Sequence, residues 1–180
     1  PEPSSLYEDV AEILISEEAI QRRVAELGQQ ITQDFAGSEV LMIAVLKGAL
    51  LFLADLVRHV DLPVAMDFLA VSSYGAGTTS GEVRVLRDID NNVAGRDVLL
   101  VDDILESGKT LKYTRELMLS RGAKSCSIAV LLDKRMRRQT DLEADYVGFE
   151  CPDYFVVGYG MDVAHAFREL PFVGVVKGDA

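Results

Sequence analysis

The segment Val98–Leu111 (VLLVDDILESGKTL) combines three acidic side chains with a turn of small and hydroxyl residues. Asp102 and Asp103 follow a run of apolar residues, and Glu106 stands directly before the turn Ser107–Thr110. A turn of this composition that opens a helix directs several backbone N–H groups at one point, which suits a phosphate group. Carboxylates repel phosphate, so the three acids are expected to face a Mg²⁺ ion, ribose hydroxyls or a proton to be abstracted.

Two common phosphate-binding motifs do not fit the sequence. A Walker loop requires glycine at the position that Asp103 occupies. A dinucleotide fingerprint starting at Gly75 and Gly77 requires a third glycine where the chain has Ser80. The non-functional interpretation is a solvated acidic loop with a helix cap, but such a loop has no need of both the acid pair and the phosphate turn.

The elements that must position these residues alternate between helices and strands. An amphipathic helix is predicted from Ser16 to Phe35, and helical spacing recurs in Ala49–Val57 and Leu111–Arg121. Short runs of Val, Ile and Leu predict the strands Val40–Leu46, Val64–Val71, Val83–Leu86, Val98–Val101, Cys126–Leu132, Tyr154–Val157 and Phe172–Val176. The pattern indicates one α/β domain over residues 1–180, with a central parallel β-sheet flanked by helices and ligands at the carboxyl ends of its strands.

Composition narrows the class of protein. The chain has 180 residues, 49% of them hydrophobic, and 18 Lys and Arg against 29 Asp and Glu, for a net charge of −11. This excludes a disordered acidic tail and disfavours nucleic acid or an anionic membrane as a partner. Much of the negative charge lies in residues 1–18, which contain acidic side chains and no Lys or Arg. The net charge of the whole chain therefore does not exclude a small phosphate group that is bound locally in the rest of the protein. With two cysteines and no apolar leader, a cytoplasmic protein is expected.

The segment Val98–Leu111 resembles the phosphoribosyl-diphosphate-binding motif of the type I phosphoribosyltransferases. Other parts of the chain narrow the resemblance to the members that act on 6-oxopurines, the hypoxanthine-guanine phosphoribosyltransferases, from about Leu6 to Lys177. The matching parts are Leu46–Gly48, Ser73-Tyr74, Asp133–Arg135, Ala144–Asp162 and Arg168.

The resemblance implies a purine salvage enzyme. Such an enzyme transfers 5-phosphoribosyl from phosphoribosyl diphosphate to N9 of hypoxanthine or guanine, with Mg²⁺ as cofactor, and forms a homodimer or homotetramer. It implies the type I fold, with a lid loop at about residues 72–81. A small hood over the purine site would come from the N-terminal segment and about residues 150–180. It also implies a cis peptide bond before Lys47.

The resemblance further implies roles for individual residues. Asp102 and Asp103 would hold the ribose and Mg²⁺, and Asp162 a second Mg²⁺. The backbone around the 5′-phosphate would be that of Glu106, Ser107, Gly108, Lys109 and Thr110. Contacts to the diphosphate would come from Lys47, Gly48, Ser73, Tyr74 and Arg168. Contacts to the purine would come from Lys134, Phe155, Val156 and Asp162.

The catalytic pair implied by the resemblance is Glu106 and Lys134. Lys134 would donate to the purine O6, which favours a 6-oxo over a 6-amino group because an ammonium cannot accept a hydrogen bond. Glu106 would accept the N7 proton, although the family usually has Asp at this position. Without the resemblance, Lys134 is more simply interpreted as part of the solvated basic run Lys134–Arg138.

Two other functions remain open at this point. An RNA-binding regulator on the same fold, similar to the pyrimidine-attenuation proteins, would need a broad basic face, whereas this chain has one short basic cluster. A Mg²⁺-dependent phosphatase that uses the paired acids would release phosphate without a purine.

Overall fold

The computed structural model describes residues 8–74 and 82–176. These residues form three α-helices, which are α1 (Glu17–Asp34), α2 (Leu50–Val57) and α3 (Lys109–Ser120), and a short 3₁₀ helix at Arg135–Arg137. The strands are β1 (Val10–Ile15), β2 (Val40–Leu46), β3 (Val64–Tyr74), β4 (Glu82–Arg87), β5 (Asp97–Leu105), β6 (Ser125–Asp133), β7 (Tyr146–Glu150), β8 (Val156–Val157) and β9 (Val173–Val176).

The main sheet has six strands in the order β4-β3-β2-β5-β6-β7. All neighbouring pairs are parallel except β3 and β4, which form an antiparallel edge. The fold class predicted from the sequence, a central parallel sheet flanked by helices, is therefore confirmed.

The strand order places a topological switch point between β2 and β5. The chain leaves β2 toward β3 on one side, and leaves β5 toward β6 on the other. In open α/β sheets, ligands bind in the crevice at the carboxyl ends of the strands that flank such a point. Lys47 follows β2 and the turn Ser107–Thr110 follows β5, so both predicted phosphate contacts lie at this crevice.

Helices cover both faces of the main sheet. Because side chains alternate along a buried strand, β2 supplies residues to two separate apolar clusters. One cluster joins the sheet to α1 and α2 through Val40, Met42, Ala44, Val24, Leu27, Phe52 and Leu56. The other joins it to α3 through Leu41, Ile43, Val45, Leu111 and Met118. The two clusters fix the strand ends between rigid layers.

A second, smaller sheet has the antiparallel strand order β1-β9-β8. Its residues Ile15, Val156 and Val173 belong to the same apolar cluster as α1 and α2. The predicted hood segments thus form one sheet packed on the body of the protein, and its function over a purine stays a prediction.

The sequence-based elements need several corrections. α1 begins as predicted, with the Ser16 hydroxyl accepting a hydrogen bond from the Ala19 amide. β1 and β7 were not predicted, because β1 (VAEILI) shows no regular alternation of apolar and polar residues and β7 contains Gly148, which weakens a strand pattern. β8 is shorter than predicted: only Val156–Val157 pair, and Tyr154 and Phe155 are exposed instead.

Candidate active site

Three cavities adjoin at the carboxyl ends of β5 and β6. The turn cavity, of about 250 Å³, is lined by Asp102, Ile104, Leu105, Glu106, Ser107, Gly108, Thr110 and Leu111. The inner cavity, of about 190 Å³, is lined by Asp103, Ile104, Glu106, Lys134, Phe155, Val156, Met161 and Asp162. The outer cavity, of about 600 Å³, is lined by Glu106, Lys134, Arg137, Asp153, Tyr154, Phe155 and Val175. Glu106 lines all three cavities and is the point at which they meet.

The turn cavity is built by the start of α3. Gly108 has a φ of +86° and caps the helix without a side chain, a conformation that glycine adopts readily. The Ser107 hydroxyl accepts a hydrogen bond from the Lys109 amide at 3.3 Å. The free N–H groups of a helix start and its dipole both favour an anion. The arrangement therefore has the chemistry of a phosphate site.

Asp102 and Asp103 lie in the last part of β5, which continues to Leu105. Each carboxylate accepts a hydrogen bond from the next backbone amide, at 2.8 Å for Asp102 and 2.7 Å for Asp103. Burial of the Asp102 carboxyl and the charge of Asp103 beside it raise the pKa of Asp102 well above its usual range. A pair held this way is suited to a cation or to ribose hydroxyls, either of which would relieve the repulsion.

The loop after β2 lies against the acid pair. The Leu46–Lys47 peptide bond is cis, as the resemblance implies. A Cβ atom added to Gly48 would stand 2.0 Å from a carboxylate oxygen of Asp103, and one added to Gly160 would stand 2.1 Å from the Gly48 carbonyl oxygen. Both positions thus require glycine. The Lys47 side chain is exposed at this crevice.

The inner cavity brings together the residues expected around a purine. The Lys134 Nζ donates to Glu106 Oε1 at 2.9 Å, and the Lys134 residue is only 5% exposed. Phe155 is 51% exposed, and Val156 follows it in β8. A flat ring with polar edges could therefore rest on Phe155 with one edge at the Lys134–Glu106 pair.

Asp162 and Arg168 are bound to each other in the loop after β8. Arg168 donates to the Gly160 carbonyl oxygen at 2.6 Å and lies 3.3 Å from an Asp162 carboxylate oxygen, which also accepts from the His165 amide. Arg168 is therefore oriented toward its own loop and holds Gly160 against Gly48.

The structure describes only some of the residues predicted to contact the diphosphate. Ser73 and Tyr74 end β3, but their side chains and the lid residues 75–81 lie outside the described residues. Sequence reasoning missed two lining residues, Ile104 and Met161, which enter the inner cavity from β5 and from the loop after β8. Both lie inside segments that match the family, which was the only signal in the sequence, because an aliphatic or thioether side chain carries no chemistry that marks it as part of a site.

Asp102 and Asp103 suit a Mg²⁺ ion that is bound together with the substrate. Among residues 8–74 and 82–176, no three His, Cys, Asp or Glu side chains form a group able to hold a metal ion. Mg²⁺ keeps several waters and is usually bound by one or two carboxylates together with substrate phosphates. The oxygen donors of Asp102 and Asp103 beside the turn cavity fit that mode of binding.

Comparison with known proteins identifies the class. The model of the phosphoribosyl transferase domain family matches residues 10–164, and the chain belongs to this family. A hypoxanthine-guanine phosphoribosyltransferase of Bacillus subtilis is 52% identical over 170 residues, covering 94% of each chain. One from Streptococcus thermophilus (strain CNRZ 1066) is 49% identical over 173 residues, covering 96% of each.

Solved structures agree with the sequence relatives. The crystal structure of a hypoxanthine phosphoribosyltransferase from Staphylococcus aureus superposes with a TM-score of 0.95 at 44% identity, covering 98% of this chain and 97% of that one. A hypoxanthine-guanine phosphoribosyltransferase from Bacillus anthracis superposes at 0.90 and 48% identity, covering 93% and 99%. The family and the enzyme class predicted from the sequence are confirmed. Within the described residues, the helices are too short or too polar to cross a membrane.

Proposed function

We propose that the protein transfers a 5-phosphoribosyl group from phosphoribosyl diphosphate to N9 of hypoxanthine or guanine, giving the nucleoside monophosphate and diphosphate. One observation carries this proposal: Glu106 joins a phosphate-type turn to a cavity that holds Lys134 and Phe155. A transferase of this kind must hold the 5′-phosphate and the base at the two ends of one ribose, with the departing diphosphate on the other side of the reacting ribose carbon from the base. Glu106 is the residue at which the two halves meet.

The turn cavity is proposed to bind the 5′-phosphate. Its backbone N–H groups and the start of α3 favour a doubly charged anion. Asp102 and Asp103 lie next to it and would bind the ribose hydroxyls. Carboxylates so close to the ring would also stabilise the positive charge that develops there as the diphosphate leaves.

The inner cavity is proposed to bind the base. Lys134 would donate to O6, and Glu106 would accept the proton of N7 as N9 attacks. Phe155 would stack on the ring, while the backbone at Val156 and Asp162 would contact its remaining edge. Purine binding would replace the 2.9 Å contact between Lys134 and Glu106 by contacts from each side chain to the base.

The loops after β2 and β8 are proposed to bind the diphosphate. Lys47 and Arg168 supply positive charge, the Gly48 backbone lies beside Asp103, and Ser73 and Tyr74 would add contacts from the end of β3. Asp102 and Asp103 would hold one Mg²⁺ and Asp162 a second. When bound, Mg²⁺ would neutralise charge on the departing diphosphate. Residues 72–81 would close over the reacting groups and exclude water.

A direct assay tests the proposal. The full chain is supplied with phosphoribosyl diphosphate, Mg²⁺ and one purine at a time, and nucleotide formation is followed by chromatography. We expect product with hypoxanthine or guanine and little with adenine. Absence of product with both 6-oxopurines would refute the proposed function, and phosphate release without a purine would favour the phosphatase.

Nucleic acid and membranes are not proposed partners. The basic run that an RNA-binding regulator would use is paired with acids: Arg137 bonds Asp153 at 2.8 Å, and Arg138 bonds Asp133 and Glu143. Paired guanidinium groups release few counterions from a phosphate backbone. RNA binding that weakens with rising salt, in a protein without transferase activity, would support the regulator instead.

The proposed setting is a cytoplasmic homodimer or homotetramer. Cys126 and Cys151 are both buried free thiols, which suits a reducing compartment. Light scattering of the purified protein measures the oligomeric state, and a monomer at working concentration would contradict this part of the proposal.

A further inference from the structure

The turn after β5 is held from behind by the segment that follows β6. The carbonyl oxygens of three consecutive residues, from the end of β5 to the first residue of the turn, accept hydrogen bonds from residues 134–140, here called the support segment. The bonds run from the Lys134 amide to Leu105 at 2.9 Å, from Arg138 Nε to Glu106 at 3.0 Å, from the Gln139 amide to Ser107 at 2.9 Å, and from the Thr140 hydroxyl to Ser107 at 3.1 Å.

These bonds fix the direction of the opposite groups. In a trans peptide unit the C=O and the following N–H point in opposite directions. Among the described residues the only cis bond is Leu46–Lys47, so the peptide units that begin at Leu105, Glu106 and Ser107 are trans. Because their carbonyls face the support segment, the N–H groups of Glu106, Ser107 and Gly108 face away from it.

Arg138 is the central side chain of this arrangement. Its side chain is only 10% exposed, and besides the Glu106 carbonyl it bonds the Leu142 carbonyl at 2.8 Å and Glu143 at 3.0 Å. Its other partner is Asp133, which is 2% exposed at the end of β6. The sequence placed Arg138 in a solvated basic run, and that interpretation is wrong.

The turn and the support segment are closely packed at Gly108. A Cβ atom added to Gly108 would stand 2.3 Å from the Thr140 hydroxyl oxygen and 3.3 Å from Arg138 Cδ. The turn therefore has little room to move toward the support segment. Burying the Arg138–Asp133 ion pair carries a large desolvation cost, which offsets much of its contribution to the stability of the fold. Its main effect is therefore on geometry, because it fixes the position of the Arg138 side chain.

We infer that Arg138 and Thr140 are positioning residues for phosphate binding. They hold the carbonyls of Glu106 and Ser107 so that the turn's N–H groups are preset toward the 5′-phosphate of the substrate. The inference rests on the proposed function, because it assigns the turn cavity to that phosphate. Neither side chain needs to touch the substrate.

The test compares two ligands that occupy different parts of the proposed site. Ribose 5-phosphate carries the 5′-phosphate alone, and inorganic diphosphate with Mg²⁺ probes the loops after β2 and β8. Both affinities are measured by NMR titration of the full chain, and the melting temperature is followed in parallel. We expect Arg138→Met to weaken ribose 5-phosphate binding about tenfold or more, since the turn loses the hydrogen bond from a charged guanidinium to the Glu106 carbonyl. Binding of diphosphate is expected to change by less than about twofold.

Arg135→Met is the matched control. Arg135 belongs to the same cluster and lies 3.5 Å from Asp133, but its side chain is 65% exposed and its ion pairs are all with carboxylates. Both variants lose the same charge, so an electrostatic effect at a distance would weaken ribose 5-phosphate equally in the two. Such an equal loss would overturn the inference, as would equal weakening of both ligands by Arg138→Met.

A second pair of variants covers a failure of Arg138→Met to fold. Thr140→Val removes the hydroxyl that bonds Ser107 and is expected to weaken ribose 5-phosphate about fivefold, while Thr140→Ser restores the affinity. Unchanged affinity in Thr140→Val, with a parent protein that binds ribose 5-phosphate, would refute the positioning role and leave the proposed function intact. A parent protein that binds neither ribose 5-phosphate nor phosphoribosyl diphosphate would refute the proposed function itself.

Discussion

Glu106→Gln is the substitution that isolates the proposed proton transfer. The Glu106 side chain is 50% exposed and its Oε1 lies 2.9 Å from the Lys134 Nζ. Glutamine keeps the shape and an oxygen that can accept from Lys134, but an amide is a poor acceptor for the N7 proton. General base catalysis contributes about 10²- to 10⁴-fold to a rate. We therefore expect kcat to fall by about 10²- to 10⁴-fold, which corresponds to an increase of about 3–5 kcal/mol in the activation free energy.

The same change should cost less in stability and in substrate binding than in turnover. The Lys134 side chain is only 6% exposed, so losing its charged partner costs more than an exposed ion pair would, but the amide oxygen still accepts its hydrogen bond and the Glu106 side chain is half exposed. We expect a loss of about 1–2 kcal/mol, which corresponds to a shift of about 2–8 °C in melting temperature for a chain of this size. The amide leaves the backbone of the turn untouched, so affinity for phosphoribosyl diphosphate should change by less than about threefold. Turnover is thus expected to fall far more than binding or stability.

Glu26→Gln provides the matched control for this experiment. Glu26 pairs with Arg23 at the same distance of 2.9 Å and with a similar exposure of 59%, on α1 and away from the cavities. Single-turnover rates with hypoxanthine separate chemistry from product release, and calorimetry gives the affinity for phosphoribosyl diphosphate. A Glu106→Gln rate within about twofold of the parent would show that this carboxylate is not the proton acceptor.

Three further changes test other parts of the structure. Lys134→Met should lower the preference for hypoxanthine over adenine, measured as the ratio of kcat/KM values, by about 10- to 100-fold; an unchanged ratio would reject the contact to O6. Gly48→Ala should weaken phosphoribosyl diphosphate about 100-fold by displacing Asp103, whereas Gly37→Ala, which meets nothing within 4 Å, should lower stability and leave that affinity unchanged. Burial alone would raise the pKa of Asp67, but hydrogen bonds from Asn91, Phe68 and Asp90 lower it below its ordinary value. The ionised Asp67 side chain therefore stabilises the folded protein at pH values above its ordinary pKa. This stabilisation is lost as the pH falls through the lowered pKa. Asp67→Asn should therefore lower the free energy of unfolding by about 2–4 kcal/mol at neutral pH. It should also reduce the dependence of that free energy on pH below about pH 4, as measured by urea denaturation at a series of pH values; an unchanged dependence would contradict the assignment.

The main sheet and its crevice could be predicted because their signals are local. Runs such as Val40–Leu46 are buried on both faces and carry apolar residues without interruption. The motif Val98–Leu111 combines a strand, acids and a helix start in one stretch, so neighbouring residues fix most of its geometry. The cis bond before Lys47 and the roles of single side chains came from the resemblance and not from pattern.

What could not be predicted depends on contacts between distant segments. Gly148 looks like a strand breaker in the sequence, yet a side chain there would meet the Leu131 carbonyl of β6 at 2.5 Å. Arg138 looks like one member of a basic run until β6 places Asp133 beside it and the turn places the Glu106 carbonyl against it. In both cases the deciding partner is a backbone or buried group whose position follows from strand order.

Glu106 is one methylene longer than the Asp that the resemblance implies at this position, and its backbone and its carboxylate are held by different partners. Its carbonyl is held by Arg138, and its own carboxylate reaches the Lys134 Nζ across the inner cavity. Because the backbone is fixed by the support segment, the extra methylene moves only the carboxylate, and it moves within a region that is half open to solvent. We therefore expect a change in the length of this side chain to leave the backbone of the turn in place and to affect only the proposed transfer of the N7 proton. In Glu106→Asp the shortened side chain should lose its contact with Lys134 while the turn stays as it is, so this one substitution is expected to alter the proposed base site and to spare the proposed phosphate site.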